Sequence, residues 1–197
     1  AFPEEKEAEE LAGRLGELSE RLREGPSHAA EAADSLLAAE FKGGRLSPAD
    51  EISLGNNPQL EVFRAHTLPP EPTLDRASFR RELAALVGDF ESVETAEFLI
   101  TGIVRERKPD PLVRTTVRFD LAGPARGGGR TERSGRWQMR WRKGADAVWR
   151  VTEWTGLDHL RSRAPAPVFT EATEAAFGRN PSFRRQLVPG LDEWASN

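Results

Sequence analysis

"SGRWQMRWRKGADAVWRVTEW", residues 134–154, holds four of the chain's five tryptophans and its only methionine, interleaved with arginines. Along an extended strand, successive side chains point to opposite faces. Trp137, Met139 and Trp141 therefore share one face, and Gln138, Arg140 and Arg142 the other. Beyond the turn at "KGAD", Trp149 and Val151 lie together with Arg150 and Thr152 opposite. The segment reads as two antiparallel strands with an aromatic side and a guanidinium side. Burying a side chain of this size contributes about 2–3 kcal/mol, so the rings face a core and the arginines face water. A single-strand nucleic-acid binder needs rings and cations on one exposed surface. Alternation separates them here, and "ARGGGR" at 125–130 supplies a phosphate-contacting loop in one copy only. Nucleic acid is therefore not an expected partner.

The same period of two extends upstream. In "LVRTTVRFDLAG", 112–123, Val113, Thr115, Val117, Phe119 and Leu121 alternate with Arg114, Thr116, Arg118 and Asp120. "TAEFLITGIVRER", from 95 to about 107, is a further strand. With 131–142, where Gly135 is a candidate bulge, and a last strand over 147–154, this makes an antiparallel meander of four strands.

The period is helical before residue 91. Ala8, Leu11, Leu15, Leu18 and Leu22 form one stripe over 4–24, behind an acidic first turn that reads as a solvated face, and Gly25-Pro26 stops the helix. Ser27 is a candidate cap for a second helix over 28–41, with Ala30, Ala33, Leu37 and Phe41 on its apolar side and Gly43-Gly44 at its end. Residues 45–58 read as loop and 60–68 as a strand. A third helix runs from a cap at Thr73 or Asp75 to Val87. After residue 163 come a Pro-Ala linker and short helical pieces, "EATEAAF" capped by Thr170 or Thr173, and "SFRRQL".

Composition bounds the chemistry. The 197 residues contain no cysteine, which excludes disulfides, thiolate zinc sites and cysteine nucleophiles. Net charge is −4, with 10 basic and 21 acidic residues in 1–100 against 18 and 11 in 101–197. No apolar run approaches the ~18 residues of a membrane span. The chain starts at Ala1 and its one methionine is internal, as expected of a trimmed chain, either a processed mature form or an excised domain.

Helices first, then a curling meander, make an α+β fold. This order, with the "W-R-W…W-R-V" ending, resembles the NTF2-like (cystatin-like) superfamily over about residues 4–160. That superfamily includes SnoaL-type cyclases, ketosteroid isomerases, scytalone dehydratases and non-catalytic modules. The resemblance implies a cone, N-terminal helices packed on a curved antiparallel sheet, with a short helical tail; it also implies a homodimer through the outer sheet face. The expected division is an NTF2-like domain at 1–163 and a linker with tail at 164–197. The tail "VFTEATEAAFGRNPSFRRQLVPGLDEW", 168–194, is similar to the segment that leads into FG-GAP/VCBS repeats in exported bacterial proteins of the CRTAC (ASPIC/UnbV) type. The shared residues are Phe169, Thr170, Thr173, Asn180 to Phe183, Gln186, Leu187, Gly190, Asp192 and Trp194. The resemblance implies a longer secreted protein, periplasmic or extracellular, in which this domain contacts a following repeat region.

Superfamily enzymes place a carboxylate and a His, Asp or Tyr inside the cone. This chain has no tyrosine and three histidines: His28, His66 and His159. His66, late in a strand, is the best interior candidate. Asp120, Asp158, His66 and His159 can be grouped, but no spacing requires it. No residue is assigned a catalytic role, no metal-ligand spacing appears and no cofactor motif is present. If the cone holds a ligand, its expected lining is His66, Phe119, Trp137, Met139, Trp141 and Trp149. The expected function is a non-catalytic structural or interaction module. The alternatives are a small-molecule enzyme of the isomerase or dehydratase kind and, behind it, nucleic-acid binding by the Trp/Arg hairpin.

Overall fold

The computed structural model describes residues 3–55, 57–65, 68–106, 112–166, 172–180 and 182. They belong to two compact units, Ala1–Ala166 and Pro167–Asn197. In the first unit, helix α1 (Pro3–Glu24) buries Leu11, Leu15, Leu18 and Leu22 as its stripe requires. Its acidic start is more than a solvated face. Glu7 accepts from Arg105 at 2.9 Å, and Glu10 accepts from Lys143 at 2.6 Å and from the Trp149 indole at 2.8 Å. A single 3-10 turn at Pro26–His28 leads into α2 (Ala29–Leu36), which buries Ala29, Ala32, Ala33 and Leu36.

Here the structure corrects the sequence. Ser27 does not cap α2; His28 precedes it, with no side-chain cap. The helix also stops at Leu36, and strand β1 (Leu37–Gly43) takes over. Gly43 and Gly44 end no helix; they let backbone pass close to neighbouring side chains. A Cβ on Gly43 would stand 2.2 Å from Phe79, and one on Gly44 2.8 Å from Thr155.

The supposed loop at 45–58 contains a short strand, β2 (Glu51–Ser53), which pairs with β3 (Glu61–Ala65). Helix α3 (Arg76–Val87) starts at Asp75, whose carboxylate accepts the Ser78 N–H at 2.8 Å. The meander follows as β4 (Thr95–Glu106), β5 (Leu112–Pro124), β6 (Arg130–Lys143) and β7 (Trp149–Ala164). The last strand runs ten residues beyond the 154 that its pattern suggests, and so takes in His159.

The sheet order is β2-β3-β7-β6-β5-β4, with β1 also on β7. One edge of β7 is shared: β1 runs parallel to it near Val151–Trp154, and β3 antiparallel near Leu160–Arg163. The β5–β6 register is unbroken from Leu112↔Arg142 to Pro124↔Arg130, so Gly135 is not itself a bulge. The extra residues are Thr152 and Leu157 of β7 and Thr101 of β4, where the register slips. Bulges bend a strand and increase its twist, and the helices lie in the resulting concavity. Gly135 is needed for another reason: φ is 157° and a Cβ would sit 2.3 Å from the Asp158 carbonyl oxygen. The α+β class, with N-terminal helices on a curved and mostly antiparallel sheet, is the one expected.

One cluster of buried residues joins the α1 leucines, α2, Phe79 and Leu83 of α3 and the inner face of the sheet. Among the described residues no helix is long and apolar enough to cross a membrane. In the second unit, α4 (Thr173–Phe177) follows Ala172 with no side-chain cap, so Thr173 is a helical residue and not a cap. Thr170 and, apart from Ser182, the "SFRRQL" piece lie outside the described residues.

Candidate functional site

Strand alternation puts Trp137, Met139 and Trp141 on the inner face of β6 and Phe119 on that of β5; all four are fully buried. Trp149 is buried at the rim, its indole held by Glu10. His66, the remaining candidate lining residue, lies outside the described residues. The rings pack on one another. Phe119 stacks on Trp137 with centroids 4.2 Å apart, and Phe98 covers Trp137 at 5.3 Å. Trp137 meets Trp154 edge-on at 4.9 Å, Trp154 meets Phe79 at 5.1 Å, and Phe79 meets Phe41 at 4.9 Å. Trp141 donates its indole N–H to Thr115 at 2.9 Å. Surface clefts of about 350, 380 and 170 Å³ are lined by other residues.

One end of the concave face is polar. The Leu157 bulge shifts the alternation of β7, so His159, Arg161 and Arg163 continue the face that Trp154 begins, while Arg136 and Asp158 pair on the outside at 2.5 Å. His159 is 1% exposed and stands 6.3 Å from the Phe119 ring, nearly parallel to it. Its Nε2 is 3.3 Å from Nη1 of Arg133, which also pairs with Asp89. Arginine can only donate. Nε2 of His159 is therefore the acceptor and the ring proton sits on Nδ1. Burial, reinforced by the Arg133 charge, pushes the imidazole down to about 4, so it is neutral at pH 7. A neutral imidazole has one basic lone pair, and Arg133 occupies it.

Beside this group, Glu51 of β2 binds Arg161 through both carboxylate oxygens, at 2.5 and 3.1 Å, and the guanidinium lies 4.4 Å over the Phe63 ring. The Arg161 hydrogen bonds hold the Glu51 carboxyl below the usual carboxylate range. The imagined grouping of Asp120, Asp158 and His159 does not form. Asp120 binds Arg118 at 2.7 Å and Asp158 binds Arg136, both across the outer face. The groups that do surround His159 come from places sequence reasoning left unassigned: Arg133 on β6, Arg161 on β7, Asp89 after α3 and Glu51 in a supposed loop. The usable signal was the run of arginines at 126, 130, 133, 161 and 163. Nδ1 of His159, Nε of Arg133 and the indole nitrogens of Trp137 and Trp154 are buried without a partner among the described residues.

The outer face is a ladder of ion pairs. Arg118–Asp120, Arg136–Asp158, Arg140–Glu153, Arg142–Glu40 and Arg150–Asp146 all lie within 3.0 Å. Each contributes little to stability, but together they neutralise the guanidinium side of the Trp/Arg hairpin.

No protein-family profile and no curated protein matches the chain. Among solved structures it is similar to a presumed dehydratase of the NTF2-like family from Streptomyces avermitilis, with a TM-score of 0.47 and 14% identity over 85% of this chain and 100% of that one. It is also similar to a presumed scytalone dehydratase from Novosphingobium aromaticivorans, with a TM-score of 0.47 and 12% identity over 85% of this chain and 96% of that one. Likeness at such identity concerns the path of the chain and not its chemistry.

Proposed function

We propose that the protein is a non-catalytic interaction module. The observation that carries this is the packing of Phe119, Trp137 and Trp154 against one another, with the lone pair of the adjacent His159 held by Arg133. General acid–base catalysis needs a group within reach of the substrate proton and with a free lone pair to take it. The one histidine described on the inner face lacks that lone pair, and the rings beside it pack on one another. On the similarity of residues 168–194 to the segment preceding FG-GAP/VCBS repeats, we place the module in a longer exported bacterial protein, next to such repeats.

A second reading has one observation in its favour. Trp137 Nε1, Trp154 Nε1 and His159 Nδ1 are three buried donors without partners among the described residues. A small molecule presenting carbonyl or hydroxyl oxygens would satisfy them, and buried polar atoms are seldom left unpaired. That is what an isomerase- or dehydratase-like pocket would bind. Nucleic-acid binding finds no support in the hairpin, whose rings are inside and whose outer arginines are paired with carboxylates.

The neutral dye Nile red separates the first two readings, because its fluorescence rises in an apolar environment and a pocket would take it up at one saturable site. The module reading predicts no saturable binding to the native protein. Stoichiometric binding that Trp137→Ala alters would favour the pocket.

A further inference from the structure

We propose that the polar end of the concave sheet face binds a small oxyanion, the phosphate or carboxylate group of a ligand, centred on Arg163 and flanked by Arg126 and the glycine loop. The proposal is independent of whether the protein is catalytic.

The argument starts from register. Arg133 of β6 stands directly opposite Arg161 of β7, and Thr131 opposite Arg163, all on one face. Like charges facing each other across a strand pair are destabilising, so such an arrangement needs counter-charge. Two of the guanidinium groups have it: Arg133 is bound to Asp89 and Arg161 to Glu51. Two do not. Arg163 and Arg126 have no carboxylate oxygen within 4.0 Å among the described residues. Arg126 is nonetheless fixed in place, its Nε donating to the Phe90 carbonyl at 3.0 Å, which leaves its terminal N–H groups undirected.

These two cations meet in a cleft of about 170 Å³, lined also by Asp89, Thr131 and Arg161. That is room for an oxyanion with some of its water, given about 30 Å³ per water molecule. On the other side of Arg163 lies a second cleft, walled by Gly127, Gly128 and Gly129. All three glycines have positive φ, of 84°, 97° and 80°. A Cβ on Gly129 would stand 2.3 Å from the Ala164 carbonyl oxygen, so the loop closes on the end of β7 only as glycine. The Gly128 N–H donates to the Ala125 carbonyl at 3.0 Å, whereas those of Gly127 and Gly129 have no acceptor among the described residues. The Gly127 and Gly129 amides can each donate to an anion oxygen, and planar guanidinium forks suit a phosphate or carboxylate. Two carboxylates compete: Asp89, which lines the first cleft but is bound to Arg133, and, in the second cleft, Glu61 of β3. It pairs with Arg163 in register but makes no ion pair within 4.0 Å.

The test is an NMR titration of the 15N-labelled chain with sodium phosphate and, separately, sodium acetate, with chloride holding ionic strength constant. The expected result is saturable shifts of the Arg126 and Arg163 Nε–Hε signals and the Gly127 and Gly129 amides, with at least one of the two anions; which one saturates names the ligand class. Arg163→Ala should weaken binding at least tenfold, and Glu61→Gln should tighten it several-fold. Arg118→Ala, on the outer face, should change nothing. Should Arg163→Ala fail to fold, the Glu61→Gln response decides alone. Shifts that never saturate with either anion, or that ignore both Arg163→Ala and Glu61→Gln, overturn the proposal.

Discussion

Gly43 shows how narrow the tolerances of this core are. Its α-hydrogens face the Phe79 ring, its N–H donates to the Leu74 carbonyl at 2.8 Å, and the Leu74 N–H returns a bond at 2.7 Å. The backbone is clamped, so a methyl group there must displace the ring. Gly43→Ala is expected to destabilise by about 1–3 kcal/mol, the range for overpacking a filled core, read as a lower urea midpoint at unchanged slope. His159 gives a pH signature. Its imidazole is near 4 folded and near 6.5 unfolded, so between these values the unfolded chain binds the extra proton. Its contribution is complete above pH 6.5 and is lost as pH falls toward 4, about 3 kcal/mol in all. His159→Gln keeps an oxygen to accept from Arg133 but cannot titrate. Urea melts at several pH values should show that this slope is flattened in the variant and steep in the wild type.

Among the elements, Glu82 of α3 is the tie between helix and loop. One carboxylate oxygen accepts the Leu46 and Ser47 N–H groups, both at 3.0 Å, and the other binds Arg45 at 3.0 Å. Glu82→Ala leaves the buried Leu46 N–H and the half-buried Ser47 N–H without their acceptor. The expected cost is about 3 kcal/mol, with faster amide exchange at Leu46 and Ser47. Nothing in the sequence marks Glu82 out, since a glutamate in an amphipathic helix looks solvated. The helical stripes of α1 and α3 and the alternation in β5 and β6 were legible because each element buries one continuous face. β1 was not: Leu37, Ala38, Ala39 and Glu40 are good helix formers, and only pairing with β7 makes them a strand. β7 was half legible. Its inner face passes from Trp149 and Val151 to Trp154 and Gly156, then to His159, Arg161 and Arg163, changing parity at Thr152 and at Leu157. A strict period of two loses the face at the first bulge, which is why the polar end of the site was missed while its aromatic middle was found.

At the scale of the whole molecule, the bulged sheet and the α1, α2 and α3 helices of the first unit pack around one buried cluster that includes the rings of Phe119, Trp137 and Trp154. The outer face carries paired charges, and the unbalanced positive charge collects at one end of the concavity. On the proposed reading, aromatic packing takes the middle of the concavity and Arg133 holds the basic lone pair of His159. The most direct test is acrylamide quenching of tryptophan fluorescence in a Trp194→Phe variant, which leaves Trp137, Trp141, Trp149 and Trp154. With three of these four fully buried and Trp149 nearly so, the account predicts quenching several-fold weaker in the native protein than after unfolding in urea. Native quenching close to that of the unfolded chain would mean that the rings line an open, solvent-filled pocket, and would contradict the account.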